Sequence, residues 1–211
     1  MEQQLKGSIA NIFSFFSGLY TNPISWHQDI SEDKWRALGE EIFKVWNLSF
    51  PIEWSSVQNC KELNKLYTIH FSGGLKSSVL PIESVYKPWT QDRSCALPFA
   101  KSKGYLLGDS AYHMFYLLES FQIELPEEYS NTPDHLVILL DFLSVLYKYS
   151  TTSFIEDYLI HHFDWLRDYN HEFKKHAKEG SFYLALTDVL VQVIEEEKAR
   201  VKKEMELAAT L

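Results

Sequence analysis

This chain of 211 residues is poor in the features that announce a chemistry. It has two cysteines, Cys60 and Cys95, set far apart. That excludes a paired metal-ligand motif and the dense disulfide framework of a small secreted domain, and it suits a reducing compartment. Long apolar runs are missing as well: stretches such as residues 136–140 fall far short of the roughly 20 residues that span a bilayer. Met1-Glu2-Gln3-Gln4 carries acid where a signal peptide needs base, so the expectation is a soluble cytoplasmic protein without membrane insertion. Positive charge is also in deficit. A net charge of -9, with Lys174-Lys175 and Lys202-Lys203 lying among carboxylates, repels phosphate backbones and argues against nucleic acid as a partner. It leaves room for a basic peptide, although acidity of this size also serves ordinary solubility.

Catalytic motifs are absent to the same degree. The nearest glycines, Gly73-Gly74 and Gly104, lack the spacing and the lysine of a phosphate loop. His171-Glu172 is followed by His176 one position too late for a zinc-protease helix, and no Glu-x-x-His pair marks a di-iron bundle. No serine sits in a nucleophile elbow, and neither cysteine has a neighbouring base. His161-His162 with Asp164 could serve a metal-dependent hydrolase, but adjacent helical residues point about 100° apart and converge poorly on one ion. The expectation is a protein that is not an enzyme and holds no cofactor of its own.

What is abundant is apolar material at helical spacing, with 45% hydrophobic and 15% aromatic residues. Ile9, Ile12, Phe13, Phe16, Leu19 and Tyr20 share one face, as do Trp35, Leu38, Ile42, Val45 and Trp46. Cys60, Leu63, Tyr67, His70 and Phe71 repeat the pattern, and so do Ala111, Met114, Phe115, Leu118 and Phe121. Thr132-Pro133 looks like an N-cap and first helical proline ahead of Leu136, Leu139, Leu140, Leu143, Leu146 and Tyr147. Phe154, Tyr158, His161 and Trp165 are expected on one face, followed by a segment that ends in cations before Gly180. Ser181 is then expected to cap a last helix through Phe182, Leu186, Val189, Leu190 and Val193. That helix would run into a solvated tail at about 195–211, with Glu196 paired to Arg200 and fraying towards Leu211. The prolines at 81, 88 and 98 interrupt this pattern over residues 72–103, but Val79, Leu80, Val85, Tyr86, Trp89, Leu97 and Phe99 are too apolar to stay solvated. The reading is an all-α, single-domain helical bundle over residues 1–211 with one long ordered loop packed across it.

One stretch is more specific. Pro133-Asp134-His135-Leu136, leading into a Leu-rich helix through Asp141-Phe142-Leu143, is preceded by Pro81-Ile82-Glu83-Ser84-Val85-Tyr86 and by residues 104–109. Phe154, His161 to Trp165 and Phe182-Tyr183 follow it. In this order, over about residues 67–193, the segments resemble the TorD/DmsD/NarJ-type redox-enzyme maturation chaperones. The resemblance implies a TorD-like chaperone that binds the twin-arginine signal peptide and the apo-form of a molybdopterin-containing oxidoreductase, aids cofactor insertion and delays export. It implies peptide-binding roles for Asp134 and His135, with Tyr67, His70 and Phe71 on an earlier helix and Pro81, Ser84 and Tyr86 in the loop. It also implies a monomer or a domain-swapped dimer. Family members often carry tryptophan where this chain has Tyr67 and Ile82, so the groove would be shallower or tuned to another peptide.

A receptor for two guanidinium groups followed by an apolar stretch needs carboxylates beside a groove, and Asp134, Glu83, Asp109, Glu127 and Glu128 are available by composition. Each has a plainer reading. An acid in a helix's first turn stabilises its dipole by about 0.3–1 kcal/mol without any ligand, an isolated histidine usually bonds locally, and aromatics at helical spacing usually pack. A helical adaptor without a maturation role stays open beside the chaperone and the hydrolase.

Overall fold

Capping chemistry places most of the helix ends. The computed structural model describes residues 2–178 and 180–210; Met1, Glu179 and Leu211, and with them the expected fraying at Leu211, lie outside it. Among the described residues ten α-helices follow one another: α1 Glu2–Leu19, α2 Pro23–Trp26, α3 Glu32–Trp46, α4 Cys60–Phe71, α5 Glu83–Tyr86, α6 Asp109–Ser120, α7 Leu136–Tyr149, α8 Thr152–His162, α9 Leu166–His176 and α10 Phe182–Ala208. Ser31, Asn59 and Thr151 each accept a backbone N–H of the first turn they precede, opening α3, α4 and α8. α3 stops at Asn47, whose left-handed φ of 56° suits a short amide side chain. Among the described residues the only β pairing is a single bridge between Ile82 and His135. The all-α class is therefore as the periodicity requires.

α7 forms the centre. Leu136, Leu139, Leu140, Leu143 and Leu146 have no exposed surface, and Val137, Ile138, Phe142 and Tyr147 are buried around the same helix, as in a helix enclosed on all sides. α1 packs along it, and Ser17 Oγ donates to the Val137 carbonyl at 3.0 Å. α8 lies against α7 and α10, while α9 and α3 also pack on α10. One contiguous apolar core runs from Ile9 to Val201.

Four details differ from the sequence reading. α7 begins at Leu136 rather than at Pro133, because the preceding backbone is committed to the loop: Leu136 N donates to the Pro81 carbonyl at 2.8 Å and Glu83 N to the Asp134 carbonyl at 3.1 Å. α8 ends at His162, so Trp165 stands beyond the helix; His162 is buried and His161 exposed. Ser181 makes no capping bond with its hydroxyl. The tail of α10 is solvated on one side only. Glu197 and Val201 are buried, and Arg200 pairs with Glu197 and Glu204 rather than with Glu196. Glu197 lies on the face turned towards α3 and α7, where burial strengthens the pair, and Glu204 meets Thr152 at the start of α8.

The long connection from α4 to α6 packs on the helices and contains α5 in place of any strand. It turns into α6 through Gly108, where a Cβ would lie 2.6 Å from the Trp89 carbonyl oxygen, so only glycine fits.

Candidate functional site

The Pro-Asp-His motif and the loop motif meet as a short antiparallel contact ahead of α7. Ile82 and His135 form the bridge, and the Asp134 carboxylate accepts the Ser84 N–H at 2.7 Å. That bond holds the first turn of α5. Asp134 and Ser84 are buried, as are Pro81 and Glu83. Burial pushes the Asp134 carboxyl above its usual range, and the Ser84 N–H pulls it back. In this arrangement Asp134 faces inwards. It is placed to organise the loop, and no solvent-borne arginine reaches it without a rearrangement.

His135 is only partly buried and caps α7, its Nδ1 accepting the Val137 N–H at 3.2 Å. Losing water pushes its pKa down to about 3, which keeps the ring neutral and the acceptor free. The ring packs against Tyr129 with centroids 4.9 Å apart. Tyr129 closes a single 3-10 turn, Glu127–Tyr129, that carries Glu127 and Glu128 exposed on its outer side. Glu128 is close enough to raise both phenol groups, Tyr129 and Tyr67, beyond the effect of burial. The partly exposed Tyr67 and His135 and the exposed Glu128 thus gather around the buried Tyr129. Tyr129 was missed in the sequence, where it reads as a turn residue without periodic neighbours.

The other expected site residues sit deeper. Phe71 packs on Tyr183 and Phe173, at 4.8 and 5.8 Å between centroids, and Tyr67 packs edge-on against Phe71 at 5.5 Å. His70 is buried against Phe173 and bonds the Ser77 carbonyl at 3.1 Å, and burial lowers its pKa. Tyr86 stacks on Trp165 at 5.3 Å. His70, Phe71 and Tyr86 hold the loop and α4 onto α9 and α10 and, unlike Tyr67, do not line one surface with His135.

The remaining carboxylates also have partners. Asp109 accepts the Thr90 hydroxyl and the Gln91 N–H. Glu83, fully buried, is paired with Lys87 Nζ and with His162 Nδ1, each at 2.7 Å. Lys87 also meets Asp164 at 2.7 Å. Burial works against the charge on Lys87, but Glu83 and Asp164 outweigh it and raise the pKa. His162 Nε2 lies 2.8 Å from His113 Nδ1. His161 points to solvent and His162 to Glu83, so the adjacent histidines diverge. Among the described residues no group of three His, Cys, Asp or Glu side chains is placed to hold a metal ion. No described helix is long and apolar enough to cross a membrane.

Comparison with known proteins agrees with the motif reading and extends it. The family described as "Nitrate reductase delta subunit" matches residues 33–179, reaching back over α3, which the motifs left unassigned. A relative named "Chaperone protein TorD", from Histophilus somni (strain 129Pt), is 30% identical over 107 residues, covering 47% of this chain and 53% of that protein. The match therefore spans about half the length of that relative. No solved structure matches the chain.

Proposed function

Because the chain belongs to the nitrate reductase delta subunit family, matched over residues 33–179, we propose that it is a maturation chaperone for a molybdopterin-containing oxidoreductase. In this reading it binds the twin-arginine signal peptide of the apo-precursor in the cytoplasm, delaying export until the cofactor is inserted. The name of the TorD relative supports the chaperone role.

The observation that carries the peptide-binding part is the face formed by His135, Tyr129, Tyr67 and Glu128 at the meeting of the two motifs. Exposed Glu127 and Glu128 offer carboxylates for guanidinium groups, which they can take through two parallel charge-assisted bonds. Tyr67 offers a partly exposed ring for the apolar segment that follows the arginines, backed by the buried Tyr129. Asp134, Pro81 and Ser84 then act from below by setting the loop, and His70, Phe71 and Tyr86 fix α4 and the loop beneath that face. The fold would work as one domain in this role, as a monomer or as a domain-swapped dimer.

Calorimetric titration with a synthetic twin-arginine signal peptide tests the proposal. Binding is expected, weakening as salt rises, and falling by tenfold or more when both arginines become glutamine. Equal affinity for the two peptides would overturn it.

A further inference from the structure

Outside the proposed peptide face, Glu83, His162 and His113 form a chain of polar groups that runs from the core to the surface. Glu83 and His162 are buried, with 0% and 1% exposure, whereas His113 on α6 is exposed. His162 lies at the end of α8, and both of its ring nitrogens are engaged: Nδ1 at 2.7 Å from Glu83 Oε2 and Nε2 at 2.8 Å from His113 Nδ1. The two rings are nearly parallel, 13° apart, with centroids at 4.9 Å, so they meet close to edge-to-edge across that nitrogen pair.

We infer that the His113–His162 pair is a proton-counting latch: it joins α6 to α8 while the two rings hold at most one extra proton, and it opens when both are charged. The hydrogen count gives the reason. A carboxylate only accepts, so His162 Nδ1 carries hydrogen towards Glu83 and Nε2 of the neutral ring is an acceptor. His113 must then donate from Nδ1, which leaves its Nε2 to take a proton from solvent. A first proton there breaks nothing, and it can be passed inwards by moving the shared hydrogen from His113 to His162. A second proton puts hydrogen on both facing nitrogens at 2.8 Å, where two donors and two like charges oppose each other, so the sites titrate as a coupled pair.

The other titratable and charged groups acting on His113 are Glu83 and Lys87 from the loop and His161 from α8; Asp134 lies beside Glu83, Asp164 pairs with Lys87, and Lys198 of α10 bonds the Phe163 carbonyl next to His162. Tyr158 packs on the His162 ring at 4.7 Å. Burial, and then His162, lower the pKa of His113 below 6.5. The unfolded chain therefore binds that proton first as pH falls, and stability present above about 6.5 is lost below it.

The test uses the full chain and no peptide, so it stands apart from the chaperone reading. Histidine side-chain nitrogens are followed by NMR from pH 8 to 4.5, and thermal midpoints are measured over the same range for the wild type and for His113→Asn, a change at an exposed position. Two coupled uptake steps separated by more than one pH unit are expected, with the second accompanied by shifts in α6 and α8 amides. The acid-side fall in melting temperature should be smaller in His113→Asn. Independent single-step titration of the two rings would overturn the inference, and so would superimposable melting profiles of the two proteins.

Discussion

Two carboxylates with no exposed surface, Glu197 and Glu83, are held in opposite ways. Glu197 on α10 receives Trp46 Nε1 at 2.8 Å, the Tyr147 hydroxyl, and both Nε and Nη2 of Arg200 at 2.8 and 2.6 Å. Each of these donors keeps its hydrogen through the physiological pH range, so the junction of α3, α7 and α10 is a fixed anchor. Glu83 is held by Lys87 and by His162, one a half-buried lysine shared with Asp164 and the other a ring whose second nitrogen meets the exposed His113. The same buried charge makes a rigid joint in one place and an adjustable one in the other, and the adjustable joint lies beside the motif contact that opens α7.

The largest expected effect is at the fixed anchor. Glu197→Ala leaves Arg200, Trp46 and Tyr147 without their common acceptor and should cost about 3–5 kcal/mol, read from the urea midpoint. A loss under about 1 kcal/mol would contradict the anchor. Glu83→Gln should cost less, about 1.5–3 kcal/mol, because Lys87 keeps Asp164 and the amide can still accept from His162. If the two substitutions were equally damaging, the contrast would fail.

His135→Ala removes the cap of α7 and should cost about 1 kcal/mol. His135 also carries a pH signature. Its folded pKa, about 3, lies below the ordinary 6.5, so the stability it supports is complete above about pH 6.5 and drains away as pH falls towards 3. His135→Asn, which can cap without titrating, should flatten that part of the stability profile in pH-stepped urea melts; an unchanged profile would show that the ring is protonated in the folded state. At the small end, Lys103→Ala breaks only an exposed pair with Asp168 and should change stability by less than about 0.5 kcal/mol.

The helices were legible because their faces repeat every three or four residues and their caps are local. Ser31, Asn59 and Thr151 act within three positions of themselves. What escaped sequence reading depends on partners far along the chain. Trp46 meets Glu197 across 151 positions, Glu83 meets His162 across 79, and His113 meets His162 across 49. The start of α7 was misplaced for the same reason: Pro133 has the chemistry of a first helical residue, but backbone pairing with Pro81 and Glu83 takes precedence over it. In the motif, Asp134 and His135 could be named, and their division of labour could not. Nothing local distinguishes an acid that faces a ligand from one that bonds Ser84 N–H fifty positions away.

That division is the central claim, and a double-mutant cycle between the protein and the peptide measures it directly. Glu128→Gln and Asp134→Asn would each be titrated with the twin-arginine peptide and with a version carrying one arginine replaced by glutamine. The account predicts that Glu128 couples to an arginine, so that about tenfold of its effect vanishes when that arginine is removed, while Asp134→Asn weakens both peptides by the same factor. Coupling found at Asp134 and absent at Glu128 would contradict it.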